Sequence, residues 1–345
     1  MLKEIENALI LGKAKSGKAA QNLLNSRNIN NTILDDQDIN NEEFRNLCVN
    51  KNFSHCIISP GFRNSHSWLS IIKSFQIPII PELELGWSCF NGFTIAVTGS
   101  NGKSTALKWL YETLILSESD VVIGGNYGTP VCELAMINPN AKFILIEVSS
   151  FQLEHANLFK PDIAVLLNIY PNHLDRHNNM LEYISTKCKI FGTYNNSANV
   201  CIIPFIKKKI IKKYTHGNRN WKTFGITKEA DIFFEKGIIF KKNKKLVNLS
   251  KTFFGEGFLG EHTGPAIASV IDECSLSIHN LYTSALSFVN LPHRLEFIRK
   301  NRGISFINDS KSTNLTSMIA AVESCNQPIR LLVGGQLKEN NINFI

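Results

Sequence analysis

The run FTIAVTGSNGKSTALKWLYETL, residues 93–114, constrains this chain more than any other stretch. It passes from an apolar strand through a glycine-bearing loop into a helix, and the loop ends in Gly102-Lys103-Ser104-Thr105. A loop in that context can cradle phosphates. Backbone N–H groups of Ser100 to Lys103 would ring them, Lys103 would reach the outer ones, and Ser104 or Thr105 would hold Mg²⁺. The nucleotide contacts expected here are Gly99, Ser100, Asn101, Gly102, Lys103, Ser104 and Thr105. The common form of such a loop starts with glycine five positions before the Gly-Lys pair, and that position is Val97. The competing reading is a glycine-rich connection with an incidental lysine.

The flanking sequence alternates strands and helices, which argues a parallel sheet. Before residue 90, "NALILG", "NTILDD", "HCIISPG" and "PIIPELELG" read as strands and "SGKAAQNLLNSR" as a helix. The turn Gly12-Lys13-Ala14-Lys15-Ser16-Gly17 opens that helix and could offer free N–H groups to a diphosphate, or be a plain turn. Between 90 and 290, "KFILIEVSSFQLE" and "PDIAVLLNIYPNHLDRH" read as buried strands ending in polar residues. Ligands gather beyond the carboxyl ends of such strands, so Lys103, Glu147 and His173 are expected at one crevice. From 291, "GISFINDSKSTN" reads as a strand and turn, "LTSMIAAVESC" as a helix and "IRLLVGG" as a strand. These 55 residues are too few to cover both faces of a parallel sheet, so the third unit is expected to be incomplete. The expected division is 1–89, 90–290 and 291–345.

A length of 345 residues suits two or three domains, and 43% hydrophobic with 19% charged residues suits a soluble one. The net charge of +8 sits largely in Lys207–Lys209 with Lys212 and Lys213, and in Lys241, Lys242, Lys244 and Lys245. Neither group interleaves aromatic residues as an RNA-stacking surface does, so no nucleic-acid partner is expected. The eight cysteines form no Cys-x-x-Cys pair and read as buried groups in a reducing compartment. No run is long and apolar enough for a signal peptide or membrane span, so a cytoplasmic protein is expected.

The loop TGSNGKST resembles the ATP loop of the Mur ligase superfamily, whose form lacks the early glycine. Four further stretches extend the resemblance over residues 9–345: GGNYGTP (124–130), EVSSFQLE (147–154), NHLDRH (172–177) with EYISTKCKIF (182–191), and LPHRLEF with FINDSKSTN (291–314). They resemble the branch that adds D-glutamate to UDP-N-acetylmuramoyl-L-alanine.

The resemblance implies an α/β protein of three domains. A Rossmann-like UDP-substrate domain would come first, a P-loop-type ATPase domain second, and an incomplete Rossmann-like amino-acid domain third. It implies ATP-dependent amide formation through an acyl phosphate, with two Mg²⁺ ions; no membrane partner is expected, and the expected state is a monomer. Ser104 and Glu147 would hold one ion; His173 and Lys187, the latter carbamylated, would hold the other. Without the resemblance Lys187 reads as a solvated helix lysine. Arg294 and Asp309 would contact ATP, with Lys311 and Thr313 lining the same cleft. Asn126, Ser149 and Gln152 would hold the acyl substrate, Lys338 would grip D-glutamate, and Ser16, Gly17 and Asp35 would meet the uridine diphosphate.

Asn172, Thr263 and Ala266 depart from the family pattern, as does GGQL in place of an Arg-Asp pair. Those departures keep a second reading open, a remnant that binds nucleotide or UDP-sugar without catalysis, and beside it another Mur- or folylpolyglutamate-type ligase.

Overall fold

In the computed structural model, the residues described are 2–117, 120–193, 197–215, 217–257, 259–313, 315–323, 325 and 328–335. The chain opens with strands β1 (Asn7–Leu11), β2 (Asn30–Leu34), β3 (His55–Ile58) and β4 (Ile79–Pro81), alternating with helices α1 (Lys15–Ser26), α2 (Asn41–Lys51), α3 (Ser67–Ser74) and α4 (Glu82–Trp87). The four strands form a parallel sheet in the order β2-β1-β3-β4. Strand β1 shows why. Successive side chains leave opposite faces, so Leu9 and Leu11 enter one apolar cluster while Ala8 and Ile10 enter another.

The stretch PIIPELELG corrects the reading as one strand. Ile79–Pro81 is strand, and Glu82 begins helix α4. Pro81 has no N–H to continue a ladder, and Glu82 and Glu84 stand in the first turn of the helix, acceptors for neighbouring N–H groups. Leu83 and Leu85 alternate as in a strand, yet each is fully buried in a different cluster.

The middle of the chain builds β5 (Phe93–Thr98), α5 (Lys103–Leu114), β6 (Val121–Gly125), α6 (Val131–Ile137), β7 (Phe143–Glu147), α7 (Ser150–Leu153), β8 (Ile163–Leu166) and α8 (Met180–Cys188). It continues through β9 (Val200–Pro204), α9 (Lys208–Lys213), β10 (Trp221–Gly225), β11 (Ile232–Glu235), β12 (Ile238–Lys241), β13 (Lys244–Asn248), α10 (Gly264–Glu273) and α11 (Ile278–Ser287). The nine strands make one sheet, β13-β12-β11-β10-β9-β8-β5-β7-β6. Seven strands run parallel, and β12 and β13 turn antiparallel at the edge. Strand β5 lies between β7 and β8 and is apolar on both sides: Ile95 and Val97 enter one core, Ala96 the other.

The last units are β14 (Glu296–Asn301), β15 (Ile304–Asn308) and α12 (Leu315–Glu323). β14 and β15 form an antiparallel hairpin whose two turn residues, Arg302 and Gly303, both have positive φ, the backbone that fits a two-residue hairpin. β14 was not read from the sequence. The run IRLLVGG, residues 329–335, is not strand. A strand exists only through a paired neighbour, none pairs with this run among the described residues, and Leu332 is 92% exposed.

Candidate active site

The loop between β5 and α5 is where the chain's polar chemistry concentrates. Val97 is still strand, paired with Glu147 on one side and Val165 on the other. The loop therefore starts two residues later, at Gly99, which accounts for the missing early glycine. Gly102 caps α5 at φ +78°, a left-handed conformation that costs other residues about 1–2 kcal/mol. Two of the expected phosphate donors are engaged within the protein. Ser100 N–H donates to the Asn168 carbonyl (3.2 Å) and Asn101 N–H to Asn168 Oδ1 (2.9 Å). The N–H groups opening α5 remain, since no carbonyl of the same helix can accept them.

Lys103 folds back over the loop, its Nζ donating to the carbonyls of Gly99 (2.9 Å) and Ser100 (3.3 Å). Burial draws its pKa down against the upward pull of Glu147, and Arg294 adds to the fall. Ser104 Oγ donates to Glu147 Oε2 at 2.7 Å, and Asn126 Nδ2 donates to Glu147 Oε1 at 2.8 Å. Ser104 and Glu147 are both buried. Arg294 reaches in from beyond the central sheet, its guanidinium donating to Ser104 Oγ at 3.2 Å. Thr105 Oγ1 donates to Asn290 Oδ1 (3.4 Å). Lys103, Ser104, Thr105, Asn126, Glu147 and Arg294 thus meet at one loop.

Lys187 is a correction to the reading as a solvated lysine. It is 2% exposed, and its Nζ donates to the Gly99 carbonyl (3.0 Å) and Thr98 Oγ1 (3.3 Å). Burial first, and Lys103 second, push its pKa well below that of a free lysine. His173 stands on the turn after β8 at φ +56°, its ring edge-on to Phe151 at 4.8 Å between centroids. Among the described residues, no group of three or more His, Cys, Asp or Glu side chains is placed to hold a metal.

Other expected residues have structural partners. Ser149 and Gln152 form a capping box on α7: Ser149 Oγ accepts Gln152 N–H (3.3 Å) and Gln152 Oε1 accepts Ser149 N–H (3.0 Å). Asp309 Oδ1 accepts Leu295 N–H (3.0 Å), Lys311 N–H donates to the His293 carbonyl (3.0 Å), and Thr313 is exposed. Asp35 Oδ2 accepts Lys13 N–H at 3.1 Å. Ser16 and Gly17 lie in the first turn of α1, and a Cβ on Gly17 would sit 1.8 Å from the Gly12 carbonyl oxygen. Lys338 lies outside the described residues.

Several residues of the site were not singled out. Asn168 holds the loop; Tyr183 hydroxyl bonds Ser100 Oγ (3.1 Å) and its ring faces Lys187 Nζ (4.8 Å). Arg176 clamps Glu154 through two bonds, 2.8 and 2.7 Å, and donates to the Phe62 carbonyl (2.9 Å), joining the two large sheets' units. These contacts join residues far apart in the sequence and carry no local signature.

Residues 97–263 match the family model for the Mur ligase middle domain. The UDP-N-acetylmuramoylalanine--D-glutamate ligase of Bacillus mycoides (strain KBAB4) is 30% identical over 359 residues, covering 98% of this chain and 79% of that protein. The ligase of the same name from Buchnera aphidicola subsp. Schizaphis graminum is 36% identical over 296 residues, 84% of this chain and 66% of that protein. Among solved structures, the MurF ligase of Thermotoga maritima in complex with ADP superimposes with a TM-score of 0.53 at 17% identity, covering 94% of this chain and 73% of that one. The fold and the loop are those of a ligase of the Mur type. The chain belongs to the Mur ligase family, in the branch of the UDP-N-acetylmuramoylalanine--D-glutamate ligases.

Proposed function

We propose that this chain joins D-glutamate to UDP-N-acetylmuramoyl-L-alanine at the expense of ATP, in the cytoplasm, as a step of peptidoglycan precursor synthesis. The observation that carries the reading is the buried Ser104–Glu147 pair at the mouth of a loop closed by Lys103. In this reading residues 1–89 bind the UDP substrate, 90–290 bind ATP and 291–345 belong to the amino-acid side.

The substrate carboxylate attacks the terminal phosphorus of ATP, releasing ADP and leaving an acyl phosphate. The amine of D-glutamate then attacks the acyl carbon, phosphate departs, and the amine loses a proton. Positioning and charge neutralisation do most of the work in such a transfer. Lys103 is the movable cation: its Nζ, now on two carbonyls, can turn to the outer phosphates. Arg294 brings a second, fixed cation to the same point. Ser104 Oγ and Glu147 are hard oxygen donors suited to Mg²⁺, which when bound neutralises the triphosphate. Asn126 fixes the Glu147 carboxylate. His173 and Lys187 are assigned to a second ion, with Lys187 carbamylated so that it carries an anionic oxygen instead of an ammonium. The helix-capping Ser149 and Gln152 border the acyl substrate.

The test is release of phosphate from ATP with Mg²⁺, UDP-N-acetylmuramoyl-L-alanine and D-glutamate. Formation of the amide product only when all four are present supports the reading. ATP hydrolysis indifferent to both acceptors would overturn it.

A further inference from the structure

Two buried side-chain atoms that find no hydrogen-bond partner among the described residues, Glu82 Oε2 and His155 Nε2, line one small cavity. It measures about 10 Å³ for the centre of a water-sized sphere, room for a single water. The cavity lies at the seam between the first sheet, which contributes Ser59 and Pro60, and the central unit, which contributes Phe151, Gln152 and Arg176. The other carboxyl oxygen of Glu82 is engaged: Oε1 accepts the N–H of Cys132 (2.7 Å) near the start of α6. Oε2 alone is free to face the cavity.

Two acceptors cannot face one another across so small a space without a proton. An ionised carboxylate left with a bare oxygen in a dry seam is costly, and a neutral imidazole nitrogen in the same seam needs a donor. We propose that Glu82 and His155 form a buried proton-sharing pair, with Glu82 as the neutral acid whose Oε2–H faces the unprotonated Nε2 of His155, directly or through one water. The pair joins the first sheet's last helix to α7 and its following turn, beside the permanent cation of Arg176 that crosses the same seam to the Phe62 carbonyl.

Neighbouring charges agree with this placement. Burial raises the Glu82 pKa to about 7, helped by Glu133 and opposed by the N–H groups of Cys132 and Val131. Burial lowers that of His155 to about 4, with Lys189, Lys73 and Arg176 pushing the same way. In the unfolded chain the values are 4.5 and 6.5. Between those two pH values the unfolded pair holds one proton, on the histidine, and the folded pair also holds one, on the glutamate. Folding moves the proton from His155 to Glu82 without net uptake.

Stability from Glu82, whose acid pKa is raised, is present below about pH 4.5 and is lost as pH rises to about 7. Stability from His155, whose pKa is lowered, is absent below about pH 4 and grows as pH rises to about 6.5. The two trends oppose and cancel in between.

The experiment is urea unfolding of the full chain and its variants between pH 5 and 7. The midpoint deficit of Glu82→Gln against wild type should shrink as pH rises, and that of His155→Gln should grow. A Glu82→Gln deficit that grows with pH, or deficits that do not change with pH, would overturn the pair. If Glu82→Gln does not fold, ¹³C-glutamate spectra of wild type serve in its place. One carboxyl should stay in its protonated position at pH 6 and move in His155→Gln; glutamates all ionised at pH 6, or a protonated signal indifferent to His155→Gln, contradict the inference.

Discussion

The molecule contains two strand-to-helix turns of the same topology, and they are built for different work. In the first sheet, β1 passes through Gly12, Lys13 and Ala14 into α1; in the central sheet, β5 passes through Gly99 to Gly102 into α5. The first turn keeps its lysines outward. Lys13 pairs with Asp38 at 2.6 Å, and Lys15 Nζ reaches the Gly128 carbonyl of the central unit at 2.7 Å. The second draws Lys103 inward onto its own carbonyls and sets the buried Ser104 against Glu147. The glycines differ accordingly. Gly17 is needed because α1 packs on the Gly12 carbonyl, whereas Gly102 is needed for its positive φ. One turn is open, with exposed lysines bonded to a carboxylate and a carbonyl; the other is closed over its own carbonyls with a buried hydroxyl–carboxylate pair.

The comparison breaks most readily at Lys103. Lys103→Met should cut substrate-dependent phosphate release by about a hundred- to a thousand-fold, the usual cost of one charge-stabilising donor, while the thermal midpoint stays near wild type. Loss confined to KM for ATP would show that Lys103 only binds. Gly17→Ala comes next: no Cβ fits 1.8 Å from a carbonyl oxygen, and overpacking of this kind costs about 1–3 kcal/mol, readable as a lower urea midpoint. Gly102→Ala should cost about 1–2 kcal/mol through its backbone angle and should also weaken ATP binding, which Gly17→Ala should leave intact. Lys15→Ala has the smallest effect: losing its exposed hydrogen bond to the Gly128 carbonyl should cost about 1 kcal/mol or less, read as a slightly lower urea midpoint with ATP binding unchanged. A loss of ATP binding in Lys15→Ala would erase the contrast between the turns.

Much of the fold was legible because buried parallel strands read as continuous apolar runs. Ala8–Leu11, Phe93–Thr98 and Ile163–Leu166 announced themselves in that way. Failures have local causes. Leu83 and Leu85 mimic strand alternation inside a six-residue helix, and Ile329–Val333 has strand composition with no described neighbour to pair with. In the site, the Gly-Lys-Ser-Thr loop was plain from residue types alone. Two of its supports were not, because Asn168 and Asn290 come from 60 or more residues away; Arg294 was legible only through the family resemblance. Charge read along a helix also misled: Lys187 is buried because its partners, Thr98 and Gly99, lie on a strand end 88 and more residues earlier.

The account rests on nucleotide and divalent cation being gathered by Lys103, Ser104 and Glu147. Calorimetric titration of ATP into wild type and Glu147→Gln, each with and without Mg²⁺, tests that most directly. Tighter binding with Mg²⁺ in wild type, and loss of that Mg²⁺ enhancement in Glu147→Gln, is the predicted result. The same enhancement in both proteins would place the cation elsewhere and contradict the account.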